Sequence, residues 1–287
     1  MQYTRGFLAP FFISVNFYKI CIVYVIIKIM KLIDTHAHLY LDDFKKDCPE
    51  VIARLKENHV EKVFLPNIDS SSINDMLKLE SDYPGLFYPM MGLHPSSVQD
   101  NYKDELQTVE NWLQKKKFIA IGEIGIDLYW DDTYFTQQVE AFKKQIKWAK
   151  ELKLPIVIHA RNSFNEIFDV VDEEIDENLT GIFHSFSGTF EEAQHIIDLG
   201  FKIGINGIVT FKNSSLDDVV KQIDINHLVL ETDSPFLSPE PKRGKRNESS
   251  HVLYIAEKIA KTKDLSIEEV AETTTQNAKT LFNIKSE

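Results

Sequence analysis

Two cysteines, Cys21 and Cys48, are all that the 287 residues contain. Neither a disulfide framework nor a zinc finger can be built from them, and a reducing compartment such as the cytoplasm fits. Cys48, just ahead of an expected helix, reads as a structural or surface thiol. A glycine-rich phosphate turn is also missing. The first apolar run of the main body ends in "DTHAHL", where a doubly wound nucleotide-binding sheet would usually carry its glycines. There is no basic surplus either. The formal net charge is −12, so the molecule as a whole is not a basic nucleic-acid binder, although bound metal ions and a local basic loop can offset phosphate charge. What remains is ordinary soluble composition, 43% hydrophobic and 26% charged, with length enough for one large core.

Residues 1–29 lack any Asp or Glu and are apolar and aromatic. Three readings compete. A membrane anchor has the length, but Lys19 interrupts the apolar run. A secretory signal lacks a small-residue cleavage site. The preferred reading is an extension ahead of the real start at Met30, where "MKLIDTHAHL" opens directly on a strand. The extension carries three basic residues and no acids, so the remainder carries −15.

From Met30 onward one pattern repeats. Short apolar runs occur at 31–39, 62–68, 86–95, 118–127, 155–161, 180–186, 201–211 and 227–235, each followed by an amphipathic stretch. Continuous runs of this kind suit strands buried on both faces of a parallel sheet. Phe135, Val139, Phe142, Ile146 and Ala149 mark one helical face. Val252, Ile255 and Ile259 mark another, and a last helix is expected over 266–282. Eight strand–helix alternations without a linker predict a single α/β domain over 30–287, a (β/α)8 TIM barrel. An open doubly wound sheet is the competitor.

Catalytic groups of such barrels sit at the C-terminal ends of the strands. His36 and His38 stand at the first strand end and His94 at the third. Glu123 and Asp127 stand at the fourth, His159 and Arg161 at the fifth, His184 at the sixth, and Glu231 and Asp233 at the eighth. Five of nine histidines occupy these ends, whereas His59, His195 and His251 fall on expected helix surfaces. Residues two apart on a strand point the same way, so His36 and His38 can share one ion. Imidazole and carboxylate together suit divalent metals. Glu123 has two oxygens and could bridge two ions, His159 and His184 could complete the second, and Asp233 could reach the first ion or its water. A lone His-x-His is more often a polar strand end than a ligand pair. Five strands each delivering a ligand type are what point to a metal site.

The motifs "LIDTHAHL", "GLHP", "GEIGID", "PIVIHAR", "FHSFSG", "ETDSPFL" and "RGKRNE" make residues 31 to about 284 resemble the TatD family of metal-dependent deoxyribonucleases, within the amidohydrolase-like barrels. The resemblance implies that His36, His38, Glu123 and Asp233 hold one ion and that Glu123, His159 and His184 hold the other. Three positions depart from the family pattern. Tyr40 stands where Asp or Asn usually follows "HxHL", Ser163 replaces a small residue or Thr, and Ser249 replaces a proline. None is a ligand.

Other residues have supporting roles. The loop 241–248 places Lys242, Arg243, Lys245 and Arg246 after the eighth strand; it is either a solvated charge run or a phosphate-backbone contact. Arg161 holds an acidic neighbour or clamps phosphate. Ser187 or Thr189 caps the sixth helix, whose N-terminus could meet a phosphate. His94 reads as a supporting or substrate contact, and Glu231 as orienting Asp233 or a ligand.

The expected activity is phosphodiester hydrolysis with two divalent ions (Mg, Mn or Zn) and a metal-activated water, with Asp233 as general base and Glu123 between the ions. The resemblance favours a 3′–5′ exonuclease on single-stranded ends, with DNA or RNA as the substrate; the default expectation for assembly is a monomer. The alternatives are a metallohydrolase of a small ester, amide or aminoacyl ester, a non-catalytic binding module, and a membrane-anchored protein resting on residues 1–29.

Overall fold

The computed structural model describes residues 30–129 and 131–284; the readings of residues 1–29 lie outside the described residues. Each of the eight apolar runs supplies a strand: β1 Leu32–Asp34, β2 Val60–Leu65, β3 Phe87–Pro89, β4 Ile121–Asp127, β5 Ile156–Arg161, β6 Gly181–Phe183, β7 Lys202–Ile205 and β8 Leu228–Leu230. The amphipathic stretches form α1 Cys48–Glu57, α2 Ile73–Asp82, α3 Tyr102–Lys115, α4 Phe135–Leu152, α5 Phe164–Glu174, α6 Phe190–Asp198, α7 Leu216–Gln222 and α8 Val252–Lys263, followed by α9 Ile267–Leu281. Among the described residues no helix is long and apolar enough to cross a membrane.

The strands pair in sequence order and in parallel, β1 to β3 in one set and β4 to β8 in the other. Single parallel bridges join the two seams, Met91 to Ile121 and Ala37 to Ser234. Thr35 N donates to Leu230 O at 3.0 Å beside the second seam. The result is the TIM barrel expected from the alternation.

Two apolar layers hold it. Ile33, Phe64, Met90, Ala120, Val157, Ile182 and Val229 form a cluster with Ala278 and Phe282, which come from α9 and the residue after it. Phe282 meets Phe64 edge-on with centroids 4.6 Å apart. This packing plugs the barrel with side chains and leaves its other end for chemistry. The larger cluster lies between strands and outer helices and includes Phe142, Ile146, Ala149, Val252, Ile255 and Ile259. Those are the expected helix-face residues, though Phe135, at the first position of α4, is 37% exposed.

Two local devices aim the site. The β4–β5 register shifts between Gly122 and Ile124, which leaves Glu123 without a cross-strand partner. Such a bulge re-aims a side chain. Gly125 has φ +144°, and a Cβ there would sit 2.1 Å from His159 O, so only glycine lets β4 lie this close to β5 at that histidine.

Candidate metal centre

The β1 chain leaves the sheet at Asp34 and is pinned across the seam to β8. Asp34, fully buried, accepts from Thr232 N at 2.9 Å, Thr232 Oγ1 at 2.6 Å and His36 N at 3.3 Å. Burial pushes its carboxyl up to about 7. His38 N donates to Ser234 O at 2.7 Å, and Asp233 N donates to His36 O at 2.9 Å. The first histidine pair and Asp233 are thereby locked face to face, although nearly 200 residues separate them.

Glu123 is the centre of the cluster, and its two oxygens face different groups. Oε2 lies 3.0 Å from His36 Nε2 and 3.7 Å from His38 Nε2. Oε1 lies 2.7 Å from His159 Nδ1, 3.2 Å from His184 Nε2 and 3.2 Å from His94 Nε2. Asp233 Oδ1 lies 3.8 and 3.7 Å from the Nε2 atoms of His36 and His38. Donors about 2.1 Å from a common cation stand roughly 3–4 Å apart. Among the described residues three sets are compact enough to hold an ion: His36, His38 and Asp233; His36, Glu123 and His184; and His94, Glu123 and His159. All six ligand candidates named from the sequence meet here. His94, given a supporting role there, is as close to Glu123 as His184 is.

The charge state fits a divalent ion. His36 is fully buried; its Nδ1 has no hydrogen-bond partner, and its Nε2, though 3.0 Å from Glu123 Oε2, makes no well-aligned hydrogen bond. An orphaned buried imidazole is costly unless something absent from the protein alone satisfies it. Burial, reinforced by His184, brings His36 down to about 4. Burial and His36 hold His38 well below its ordinary value. Both are therefore neutral and ready to donate a lone pair. Burial alone would raise Glu123, but the imidazoles of His94, His184 and His36 and the His159 hydrogen bond hold it well below the carboxylate range. Burial pushes Asp233 up to about 7, with Glu123 and Glu231 adding to it and His184 opposing. For His184 burial is outweighed by Glu231 and Glu123, which hold it well above its ordinary value. His159 is likewise raised, its hydrogen bonds to Asp127 and Glu123 outweighing burial.

Neighbours orient the histidines. Glu231 Oε1 lies 3.1 Å from His184 Nδ1 and accepts from Ser185 N at 2.5 Å, which orients the His184 ring. Asp127 Oδ2 lies 2.9 Å from His159 Nε2. His94 Nδ1 lies 2.7 Å from Ser96 Oγ. Carboxylate or carbonyl partners on the far nitrogen are the usual support of metal-binding imidazoles. The cluster floors a cavity of about 520 Å³ whose walls include Ile68, Ser96, Arg161, Ser187, Ile208, Phe236 and Leu237. The guanidinium carbon of Arg161 lies 3.8 Å from the Tyr129 ring centroid, and Phe236 is 53% exposed.

The basic loop is placed differently from the rest. None of its four cations lines that cavity. Arg246 makes a two-pronged pair with Asp47 at 2.8 and 2.7 Å, and Arg243 stacks 3.8 Å from the Phe211 ring centroid. Lys242 reaches over the Tyr254 ring, and Lys245 is exposed. The residue of this motif that serves the site is Asn247. Fully buried, it donates from Nδ2 to Thr232 O at 2.8 Å and Phe236 O at 2.7 Å, and from its backbone N to Pro235 O at 3.0 Å. It braces the turn that carries Asp233, which has φ +57°. His251, expected on a helix surface, is instead buried, with Nδ1 2.9 Å from Asn247 Oδ1. Thr189, not Ser187, caps α6, in a capping box with Glu192.

An eight-stranded barrel with histidines and carboxylates gathered at the strand ends defines a metal-dependent hydrolase. The comparisons give the family. A family model described as TatD related DNase matches residues 33–283, and the chain belongs to that family. It is 40% identical over 254 residues to the uncharacterized metal-dependent hydrolase YabD of Bacillus subtilis, covering 88% of this chain and 99% of that one. It is 36% identical over 265 residues to the uncharacterized metal-dependent hydrolase BU355 of Buchnera aphidicola, covering 89% and 100%. The crystal structure of YjjV, a TatD homologue from Escherichia coli, superposes with a TM-score of 0.84 at 27% identity over 89% of this chain and 99% of that one. A lactonase of Deinococcus radiodurans, at 11% identity and TM-score 0.61, shares the fold alone.

Proposed function

We propose that this protein is a two-ion phosphodiesterase that trims single-stranded DNA, and RNA as a further substrate, from the 3′ end. The observation that carries the reading is the division of Glu123. One oxygen faces His36 and His38, the other faces His94, His159 and His184, as a carboxylate between two cations would. His36, His38, Glu123 and Asp233 would hold one ion, and Glu123, His159 and His184 the other. A bound pair of divalent ions supplies Lewis acidity toward a phosphoryl group and toward water.

The protein supplies the rest. Asp233, on the cavity lining, takes the proton of the attacking water as general base. Arg161 on the cavity wall offers its planar cation to phosphate oxygens. Phe236 and Tyr129, both about half exposed, offer ring faces to unpaired bases. An unpaired end enters a mouth of this kind more readily than a duplex.

The test is nucleotide release from single-stranded DNA labelled at either end, from ion-stripped protein given Mg, Mn or Zn, beside Asp233→Asn. Release from the 3′ end that needs a divalent ion and is lost in the variant is expected. Protein that binds two ions yet releases nothing sinks the nuclease reading. One observation favours a second reading, hydrolysis of a small ester, amide or aminoacyl ester. The basic loop lies outside the cavity, and apolar Ile68, Ala160, Ile208 and Leu237 line it. Salt separates the two, since nucleic-acid turnover weakens steeply with ionic strength and turnover of a neutral ester does not.

A further inference from the structure

Tyr40 departs from the family pattern, and the structure brings it against His38. Its ring is buried, 5.8 Å from the His38 ring and edge-on to it. Its hydroxyl lies 2.5 Å from Pro66 O, just past the end of β2, and 2.9 Å from His38 Nδ1. A phenol has one proton. Pro66 O is a carbonyl and can only accept, so the proton goes there. What the hydroxyl then turns toward His38 is a lone pair, and that contact is attractive only if Nδ1 carries hydrogen. The Nε2 lone pair is left free, 3.7 Å from both Glu123 Oε2 and Asp233 Oδ1.

We infer that Tyr40 is a positioning residue for the first ion: relayed from Pro66 O, its hydroxyl fixes His38 in the Nδ1–H tautomer and aims the Nε2 lone pair between Glu123 and Asp233. The relay ties the histidine pair after β1 to the loop after β2. His36 Nδ1 has no such partner, so His38 is the half of the pair whose far nitrogen the protein itself orients. Asp or Asn at position 40 would also present an oxygen, but the phenol spans from the imidazole to the neighbouring strand's carbonyl while filling apolar space.

This inference rests on the metal reading above, and its test needs no substrate. The variant is Tyr40→Phe, which keeps the ring and removes the oxygen. Zn²⁺ and Mn²⁺ affinities of the ion-stripped full-length protein are measured by competition with a chelator. The tautomer of His38 in the parent is read independently from the ¹⁵N shifts of labelled histidine. Expected are an Nδ1–H signature for His38 in the parent, and in the variant one of two binding steps weakened about 10–100-fold with the other unchanged. Both steps within twofold of the parent, or an Nε2–H His38 in the parent, would overturn the inference alone. A parent that binds no divalent ion would overturn it together with the metal reading.

Discussion

Ion binding and proton release are coupled in this cluster. His184 is held well above the ordinary imidazole value and Asp233 is pushed up to about 7, with His159 shifted in the same direction, so the ion-free protein holds protons in the cluster near neutral pH. Ligation needs neutral imidazole and ionised carboxylate. Binding therefore releases protons, and affinity rises from pH 6 to pH 8. Calorimetry in two buffers of different ionisation enthalpy checks this; proton uptake, or an affinity flat with pH, would refute it. Asp233→Asn is expected to cut turnover by about 10²-fold or more. The melting temperature of the ion-free protein should not fall, because burial already disfavours the charge that the variant removes. A drop of several degrees without metal would show that the carboxylate is structural. At this scale the six clustered side chains were legible in sequence as ligand candidates because each stands near a strand end with a recognisable chemistry. Asp34 and Asn247 were not. Asp34 meets Thr232, 198 positions away, only when the barrel closes, and Asn247 meets Thr232 only when the loop after β8 folds back on itself. The pairing of Arg246 with Asp47, 199 positions away, was hidden in the same way.

All eight strands were legible as apolar runs, but their ends were not. The run at 201–211 keeps only β7 as strand, and its second half turns into a 3-10 segment over Gly207–Thr210. There Asn206 accepts from Ile208 N, a local bond that competes with the ladder. The run at 86–95 likewise gives the short β3 before His94 begins a 3-10 turn at Pro95–Ser97. These early exits from the sheet lift His94 and the 206–210 segment to the cavity wall. The element outside the eightfold repeat is α9, which lies against β1 and β8 and sends Ala278, with Phe282 just beyond its end, into the barrel floor. Phe282→Ala is expected to cost about 3–5 kcal/mol, seen as a lower denaturation midpoint with metal affinity retained. A loss under about 1 kcal/mol would mean that the floor is closed by something else.

Across the molecule, chemistry and stability are divided between the two ends of the barrel. The apolar floor and the outer helices hold the fold, so the buried polar cluster can stay poised for ligands without being needed for folding. One polar residue behind the site does bear on acid stability. Burial brings His251 down to about 4, with Glu248 opposing. Its folded value lies below the ordinary one, so the stability it contributes is complete above about pH 6.5 and is lost as the pH falls toward 4. Denaturant melts across that window should fall less steeply for His251→Gln than for the parent; parallel curves would contradict this. The most direct test of the whole is a crystal of the protein grown with Mn²⁺ or Zn²⁺ and measured at the metal's absorption edge. Two anomalous peaks are expected, one on each oxygen of Glu123, the first shared with His36, His38 and Asp233 and the second with histidines of the other set. A single peak, or peaks that leave Glu123 untouched, would contradict it.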